Sequence, residues 1–280
     1  MRSRKFEVLE AVSRIERFDA SPVVLSKALR LLRDPNSEGS ALVETIQADP
    51  ALTAGVINLA NSAYYGVSAR IATLEEAVRL LGFREVYQMV SVSVAQRLFN
   101  SPLRSYGTTP QADWETSVFC ALVMQRLAPG HGLDDGEAYT IGLLHAIGRL
   151  AIDQALGETG DIDAFRTDPS PWEQREVRYV GLTSTEVSAM LLERWRFPER
   201  TCEALRRQTS PPSDRDDPLQ ACLQIARLCA AGMTGESVEL PTHPCLQARL
   251  LGTGLDGAGL NALLASCRQR LDALRQALSA

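Results

Sequence analysis

Histidine is a frequent ligand of hydrolytic metal sites, and this 280-residue chain has only three histidines, His131, His145 and His243. A metal that activates water needs several His or carboxylate ligands and one open coordination position. Only His145 stands in an apolar run, the heptapeptide GLLHAIG at residues 142–148. One imidazole does not make a catalytic metal centre. The sequence therefore predicts no metal ligands and no catalytic residues.

Other reactive groups are poorly arranged for catalysis. The six cysteines show no C-x-x-C spacing and mostly have apolar neighbours, which is typical of reduced core residues. The glycine-rich stretch at residues 252–259 follows no strand and contains no lysine, so it is predicted to be a loop between helices. No Ser-His-Asp or Cys-His arrangement is supported. We expect no cofactor.

The charge balance argues against a general nucleic-acid binder. The formal net charge is -5 and the sequence pI is about 5.4. One local cluster of arginines nevertheless surrounds Trp195 and Phe197, and its forked donors could contact an anionic ligand or partner. The alternative, which we favour, is a solvated pair of helices with both aromatic rings packed inward. The cluster consists of Arg194, Arg196, Arg200, Arg206 and Arg207.

Targeting signals are not evident in the sequence. Residues 1–18 carry alternating charge rather than an apolar segment of the signal-peptide type. No uncharged apolar run approaches the length that would span a bilayer. We expect a cytoplasmic protein without membrane insertion.

The periodicity of apolar residues is helical almost throughout, and no alternating strand pattern is convincing, so the fold class is predicted to be all-α. Ser21-Pro22 and Asp49-Pro50 each combine an N-cap with a proline in the first turn. Thr73 and Thr183 each precede a glutamate by three residues, as in a capping box. Helices are expected near residues 6–16, 22–33, 39–48, 50–61, 73–81, 84–98, 113–128, 136–155, 171–179, 184–195, 198–207, 217–231, 243–252 and 257–278.

The stretch Asn100–Gln111, with two prolines and a glycine, is the best candidate for a break between two halves. We place the halves at residues 1–109 and 110–280. Because amphipathic helices must bury their apolar stripes, the two halves are expected to pack together as one cooperative unit. Gly82 and Gly148 follow apolar runs and are predicted to be left-handed C-caps.

Three separated blocks resemble the HDOD family, the HD-related output domain of bacterial signalling proteins. They read DPALTAGVINLANSAYYG at residues 49–66, IATLEEAVRLLG at 71–82 and GLLHAIG at 142–148. The resemblance implies an N-terminal helical half packed on a second half that is similar to HD phosphohydrolases. The matching signature positions are Asp49, Pro50, Leu52, Asn61, Ser62, Leu81, Gly82, Gly142, Leu144, His145 and Gly148.

The second half departs from the HD pattern at the metal ligands. Where HD phosphohydrolases have a His-Asp pair, this chain has His145-Ala146. Three further ligand positions fall at Thr116, Ser184 and Gln208. The resemblance therefore implies a degenerate HD site in which His145 is a vestige.

Two of the signature side chains have structural interpretations that we prefer. His145 lies among Leu143, Leu144 and Ile147, so a buried imidazole bonded to the backbone is more plausible than a ligand-binding one. Asn61 ends an apolar helix, where its amide is expected to satisfy backbone groups rather than to contact a ligand.

Three functions remain open at this point. The first is a non-catalytic module that contacts signalling proteins of the bacterial cytoplasm. The second is a receptor for a cyclic dinucleotide or another anionic nucleotide in the vestigial HD pocket. The third is a residual metal-dependent phosphohydrolase whose site is built from carboxylates such as Asp153, Glu158, Asp161 and Asp163.

Overall fold

A computed structural model describes Glu10, Val12 and residues 23–34, 39–68, 70–233 and 241–279. These residues form α-helices and one short 3-10 helix, and no strand occurs among them, so the all-α prediction is confirmed. The helix expected at residues 6–16, apart from Glu10 and Val12, and the Ser21-Pro22 cap lie outside the described residues. No helix in the described part of the chain has both the length and the hydropathy needed to cross a bilayer.

Five helices lie in the described part of the first half, and two of them begin at the predicted caps Asp49 and Thr73. Asp49 accepts a hydrogen bond from the Leu52 amide, and Thr73 accepts one from the Glu76 amide. The carboxylate of Asp49 also pairs with Arg97 at 2.6 Å. The helices are α1 (Val23–Arg33), α2 (Gly39–Gln47), α3 (Pro50–Ala60), α4 (Leu74–Leu81) and α5 (Phe83–Leu98).

The second half begins at Pro110, where Thr109 caps a helix by accepting from the Ala112 amide. Thr183 forms the predicted capping box with Glu186. The helices are α6 (Pro110–Leu127), α7 (Asp135–Leu144), α8 (Gly148–Thr159), α9 (Ile162–Thr167), α10 (Trp172–Val180), α11 (Ser184–Arg194), α12 (Glu199–Arg206), α13 (Pro218–Ala231), α14 (Pro244–Gly252) and α15 (Gly257–Ser279), with a 3-10 helix at Ala128–His131.

Three sequence predictions are wrong here. The helix expected at 136–155 is two helices, α7 and α8, separated by a turn at residues 145–147. Gly148 is therefore the first residue of α8 rather than a left-handed cap, because the chain bends there to bring α8 against α11. Gly82 has a φ of +87° but an extended ψ of 161°, so it joins α4 to α5 without forming a left-handed cap.

The two halves share one apolar core. Its buried side chains extend from Val12 and Leu25 in the first half to Leu274 in α15. Helix α6 lies at the centre of the second half, where α7, α13 and α15 pack against it, and α5 contacts both α6 and α7. Tyr87 on α5 and Thr140 on α7 form a buried hydrogen bond across the junction. The site around His145 is thus built on helices that also hold the first half.

Candidate functional site

His145 is buried at the end of α7, with 9% of its surface exposed. Its Nδ1 donates to the Gly142 carbonyl at 2.7 Å, so the ring is held by the last turn of its own helix. This arrangement agrees with the structural interpretation of His145. The ring is a packing element with a backbone partner.

Burial, together with the positive charges of Arg227 and, to a smaller extent, Arg149, lowers the pKa of His145 to about 3, although the Gly142 bond acts in the raising direction. The unprotonated imidazole is therefore the form that fits the folded chain. A protonated ring would place a third positive charge beside two guanidinium groups.

This pKa shift makes the stability of the fold depend on pH. The pKa of His145 falls from 6.5 to about 3 on folding. The free energy of unfolding therefore has its full value, as far as this group is concerned, above pH 6.5. It decreases progressively as the pH falls toward 3, since only the unfolded chain takes up the proton. We expect the free energy of unfolding to fall by about 2 kcal/mol more in the wild type than in His145→Gln between pH 7 and pH 4.5. Urea titrations of both proteins measure the difference, and parallel pH profiles would rule out a buried neutral His145.

The carbonyl of His145 connects the turn to two other helices. It accepts from Gln208 Nε2 at 3.0 Å and from Ser188 Oγ at 3.4 Å. The same Ser188 hydroxyl accepts from the Gly148 amide at 2.9 Å. The turn that bears His145 is therefore tied to α11 and to the end of α12.

The other positions that the resemblance aligned with HD ligands carry uncharged side chains. Gln208 is 2% exposed and touches the His145 turn, as described above. Ser184 begins α11 next to Gly148, and its amide donates to Glu176 Oε2 at 2.7 Å. Ala146 is half-buried in the turn, and Thr116 is half-buried on α6. Of these positions, Gln208 is thus the one whose side chain contacts His145, at its backbone oxygen.

Glu176 is a buried carboxylate that the sequence did not single out. It is 1% exposed, and its other oxygen accepts from the Tyr106 hydroxyl at 2.8 Å. Burial raises the pKa of Glu176, whereas its bonds to Ser184 and Tyr106 and the charge of Arg149 lower it. Both oxygens are already bonded, so Glu176 anchors the start of α11.

Arg227 on α13 is the second group that sequence reasoning missed. Burial lowers the pKa of its guanidinium, and Nη1 donates to the Gln208 carbonyl at 2.8 Å. The residue lines a cavity of about 340 Å³ together with Glu173, Gln208, Thr209 and Gln224. The only signal in the sequence is an arginine inside the apolar run LQIARLCAA. A fixed positive charge therefore lies beside the His145 turn.

Carboxylates do not assemble into a metal site in the described part of the chain. No group of three or more His, Cys, Asp or Glu side chains is placed to hold an ion there. Asp153 accepts from the Ser105 amide at 2.7 Å, and Asp161 precedes the first residue of α9. Glu158 and Asp163 are exposed. The four carboxylates of the residual-hydrolase hypothesis thus give no ligand set among these residues.

The arginine cluster lies on the surface around the α11–α12 junction. Arg200 forms two hydrogen bonds with Asp217, at 2.8 and 2.9 Å. Arg206 pairs with Glu193 and Glu203. Trp195 and Phe197 are 2% and 6% exposed, as the interpretation with inward-packed rings predicts.

The other three arginines of this cluster differ in their surroundings. Arg207 lies 3.9 Å from Asp216, and Arg194 and Arg196 are exposed. Carboxylates thus compensate several of these charges. That compensation weakens the cluster as a site for an anion.

The signature side chains of the first half are structural. Asn61 Nδ2 donates to the carbonyls of Ile57 and Ile71, and Asn61 Oδ1 accepts from the Ile71 amide at 2.8 Å. This amide closes the loop after α3, as predicted. Ser62 Oγ is buried without a hydrogen-bond partner among the described residues.

The sequence profile of the HDOD domain matches residues 19–211. An uncharacterized protein of Treponema pallidum (strain Nichols) is 27% identical over 236 residues, which cover 81% of this chain and 45% of that protein. The chain thus spans less than half the length of that relative.

Solved structures with the same fold cover nearly the whole chain. One from Shewanella amazonensis SB2B, named a candidate phosphohydrolase, is 25% identical with a TM-score of 0.68, covering 97% of this chain and 98% of its own. An HDOD domain protein with unknown function from Geobacter sulfurreducens is 22% identical with a TM-score of 0.66, covering 91% and 90%. A candidate signal transduction protein from Marinobacter aquaeolei VT8 is 22% identical with a TM-score of 0.70, covering 99% and 66%. The last two likenesses show the fold alone.

Proposed function

The chain belongs to the HDOD family, and from that premise we propose that it is a non-catalytic module of bacterial signalling that acts through protein–protein contacts in the cytoplasm. Its HD-like half serves as a scaffold. The module transmits a signal when a partner protein binds to the module's surface.

The observation that carries the non-catalytic role is the pair of guanidinium groups beside His145. Arg227 Nη1 donates to the carbonyl of Gln208, and the Gln208 side chain donates to the carbonyl of His145. A positive charge therefore lies next to the turn where the family's relatives hold a cation, and the charge of Arg149, on the residue after Gly148, adds to it. In a buried, poorly solvated site such charges repel a divalent metal strongly. Without the metal no water is acidified, and hydrolysis of a phosphoester has no nucleophile.

Exposed apolar side chains support the role of protein contacts. On α10, Trp172 is 37% exposed and Val177 is 53% exposed. Leu228 on α13 is 52% exposed and lines the same cavity as Glu173, which is the neighbour of Trp172 in α10. Large apolar side chains of this kind are common at protein interfaces. We therefore assign the partner surface to α10 and the adjoining part of α13.

Two matched substitutions test the partner surface, and only one of them is expected to weaken partner binding. Val177→Asp places a charge in the interface and is expected to weaken partner binding at least about tenfold, because an unpaired charge would be desolvated there. Leu251→Asp makes the same chemical change at a side chain on α14 that is 49% exposed, and it should leave binding unchanged. The measurement is affinity capture from the native cell extract, with the identified partner then titrated against purified protein. Equal binding by both variants, or a captured partner unrelated to signalling, would contradict the proposal.

An alternative function is a receptor for a cyclic dinucleotide or another anionic nucleotide in the vestigial HD pocket. Arg227 favours it, because this guanidinium lines the cavity of about 340 Å³ beside Thr209 and Ser210. Titration calorimetry with a panel of nucleotides on the wild type and on Glu173→Gln tests it, because only binding in this cavity should respond to the charge of Glu173. The residual phosphohydrolase is disfavoured by the same guanidinium, which repels the metal that such an enzyme needs.

A further inference from the structure

The C-terminal helix α15 bridges the two halves and lies outside residues 19–211. It packs along α6 in the second half, and Arg270 on α15 donates to Glu85 on α5 at 3.0 Å. Between α15, α5, α6 and the loop after α3 lies a cavity of about 840 Å³. We call it the junction cavity, and the side chains that matter in it are Tyr64, Arg84, Glu85, Arg126, Gln269 and Arg270.

One wall of the junction cavity is a stacked pair of side chains. The guanidinium of Arg270 lies 4.1 Å from the ring centroid of Tyr64, and Tyr65 contacts Tyr64 edge-on at 4.8 Å. Burial lowers the pKa of Arg270 to about 10, and the ion pair with Glu85 at 3.0 Å holds the guanidinium in place. A planar guanidinium fixed in this way is a surface on which a heteroaromatic ring can stack.

The charges of the lining favour an anion. Arg84, Arg126 and Arg270 come from three different helices, against the two carboxylates of Glu85 and Asp135. Arg84 pairs with Asp135, whereas the closest bond of Arg126 is a long one of 3.5 Å to the Ser266 hydroxyl. The cavity is therefore locally positive in a chain whose net charge is -5. Of these arginines, Arg126 can reorient toward a phosphate with the smallest loss of existing hydrogen bonds.

The uncharged polar lining can recognise the edge of a base. Gln88, Gln125 and Gln269 line the cavity, and Gln88 Oε1 also accepts a long bond of 3.4 Å from Arg270. A carboxamide both donates and accepts, as the edges of nucleobases do. The apolar contact area for a planar ring comes from Tyr64 and Ala273, which are half-buried, because Leu122 and Cys267 are only 5% and 2% exposed.

We propose that the junction cavity binds a nucleotide, with the base against the Arg270–Tyr64 stack and the phosphate held by Arg126 and Arg84. Such a ligand contacts α5 of the first half, α6 of the second half and α15 at once. Its binding therefore fixes how the halves and the C-terminal helix sit together. The inference goes beyond the proposed role in protein contacts and concerns a site separate from the His145 turn.

Two opposite substitutions at one exposed position test the sign of the ligand's charge. Gln269 lies on the exposed face of α15 and lines the cavity, so both Lys and Glu are tolerated there by the helix. In calorimetric titrations with AMP, GMP, CMP and UMP at low salt, Gln269→Lys should bind about fivefold more tightly and Gln269→Glu about fivefold more weakly. Arg126→Gln should weaken binding about tenfold, with an unchanged melting temperature. Guanosine, adenosine and inorganic phosphate should each bind far more weakly than the nucleotides.

Glu173→Gln is the matched control, because Glu173 is exposed and lines the cavity beside Arg227 instead. It should leave nucleotide affinity unchanged. The proposal is overturned if no nucleotide binds, if Gln269→Lys and Gln269→Glu have equal affinity, or if Glu173→Gln alone changes the affinity. It is also overturned if nucleosides bind as tightly as nucleotides. The partner-capture variants on α10 and α14 do not line the junction cavity, so failure of one proposal is distinguishable from failure of the other.

Discussion

Gly148→Ala is expected to lower the free energy of unfolding by about 3 kcal/mol or more, because the added methyl group would meet backbone atoms of a neighbouring helix. A Cβ at Gly148 would lie 2.7 Å from the Ser188 amide nitrogen, and the backbone of Ser184 is closer still. Backbone atoms at the start of α11 cannot retreat without breaking the bond from the Gly148 amide to Ser188. The whole His145 turn would have to shift.

A matched glycine controls for the effect of alanine itself. Gly157 lies in the same helix, α8, is exposed, and would place its Cβ at an ordinary 3.8 Å from Ile162. Gly157→Ala should therefore stabilise the protein by about 0.5–1 kcal/mol, because alanine has the higher helix propensity. Urea denaturation of both variants measures the contrast. If Gly148→Ala were as stable as Gly157→Ala, the close approach of α8 and α11 would be wrong.

Leu59→Ala is expected to lower the free energy of unfolding by about 2–5 kcal/mol. The whole chain of this variant should still unfold in a single transition. Leu59 is 1% exposed and belongs to the core that extends into the second half. Loss of its side chain leaves a cavity that the surrounding helices fill only partly. Leu80 is 56% exposed in the same half, so Leu80→Ala should change stability by less than about 0.5 kcal/mol.

The expected single transition rests on the contacts across the junction. Tyr87 and Thr140 are bonded in the core, and Arg270 joins α15 to α5. Residues 1–109 and 110–280 are therefore predicted to melt together, because neither half alone covers its apolar surface. Fluorescence and circular dichroism should give coincident transitions for the intact chain. A soluble monomeric fragment 1–109 with a sharp transition of its own would show that the halves are independent.

Local sequence was sufficient for three of the helix starts. Asp49, Thr73 and Thr183 all cap helices as predicted, because capping depends on one side chain and the amides two or three residues later. Asn61 was also predictable, since its bonds to Ile57 and Ile71 reach only a few residues along the chain. The HDOD resemblance located the first residue of the site, His145.

The rest of the site depends on contacts distant in sequence. Apolar residues continue at helical spacing through 145–147, so nothing local shows that α7 ends and α8 begins there. The break is imposed by Ser188 and Gln208, which lie 43 and 63 residues from His145 along the chain.

Glu176 and Arg227 were missed for a related reason. Glu176 lies in the helix Trp172–Val180, which has many charged residues, and its position on the buried face appears only when α10 packs on α8. Arg227 resembles any arginine at the edge of an apolar helix. Packing, and not residue type, makes both groups part of the site.

The metal content of the purified chain tests the proposed non-catalytic role most directly. Elemental analysis after purification without chelators, and again after incubation with Mn²⁺, Fe²⁺, Zn²⁺ or Ni²⁺ and desalting, should give fewer than about 0.1 equivalents per chain. The positive charges of Arg227 and Arg149 beside the His145 turn are the reason for this expectation. One or two tightly held equivalents of any of these metals would contradict the account and restore a hydrolytic site.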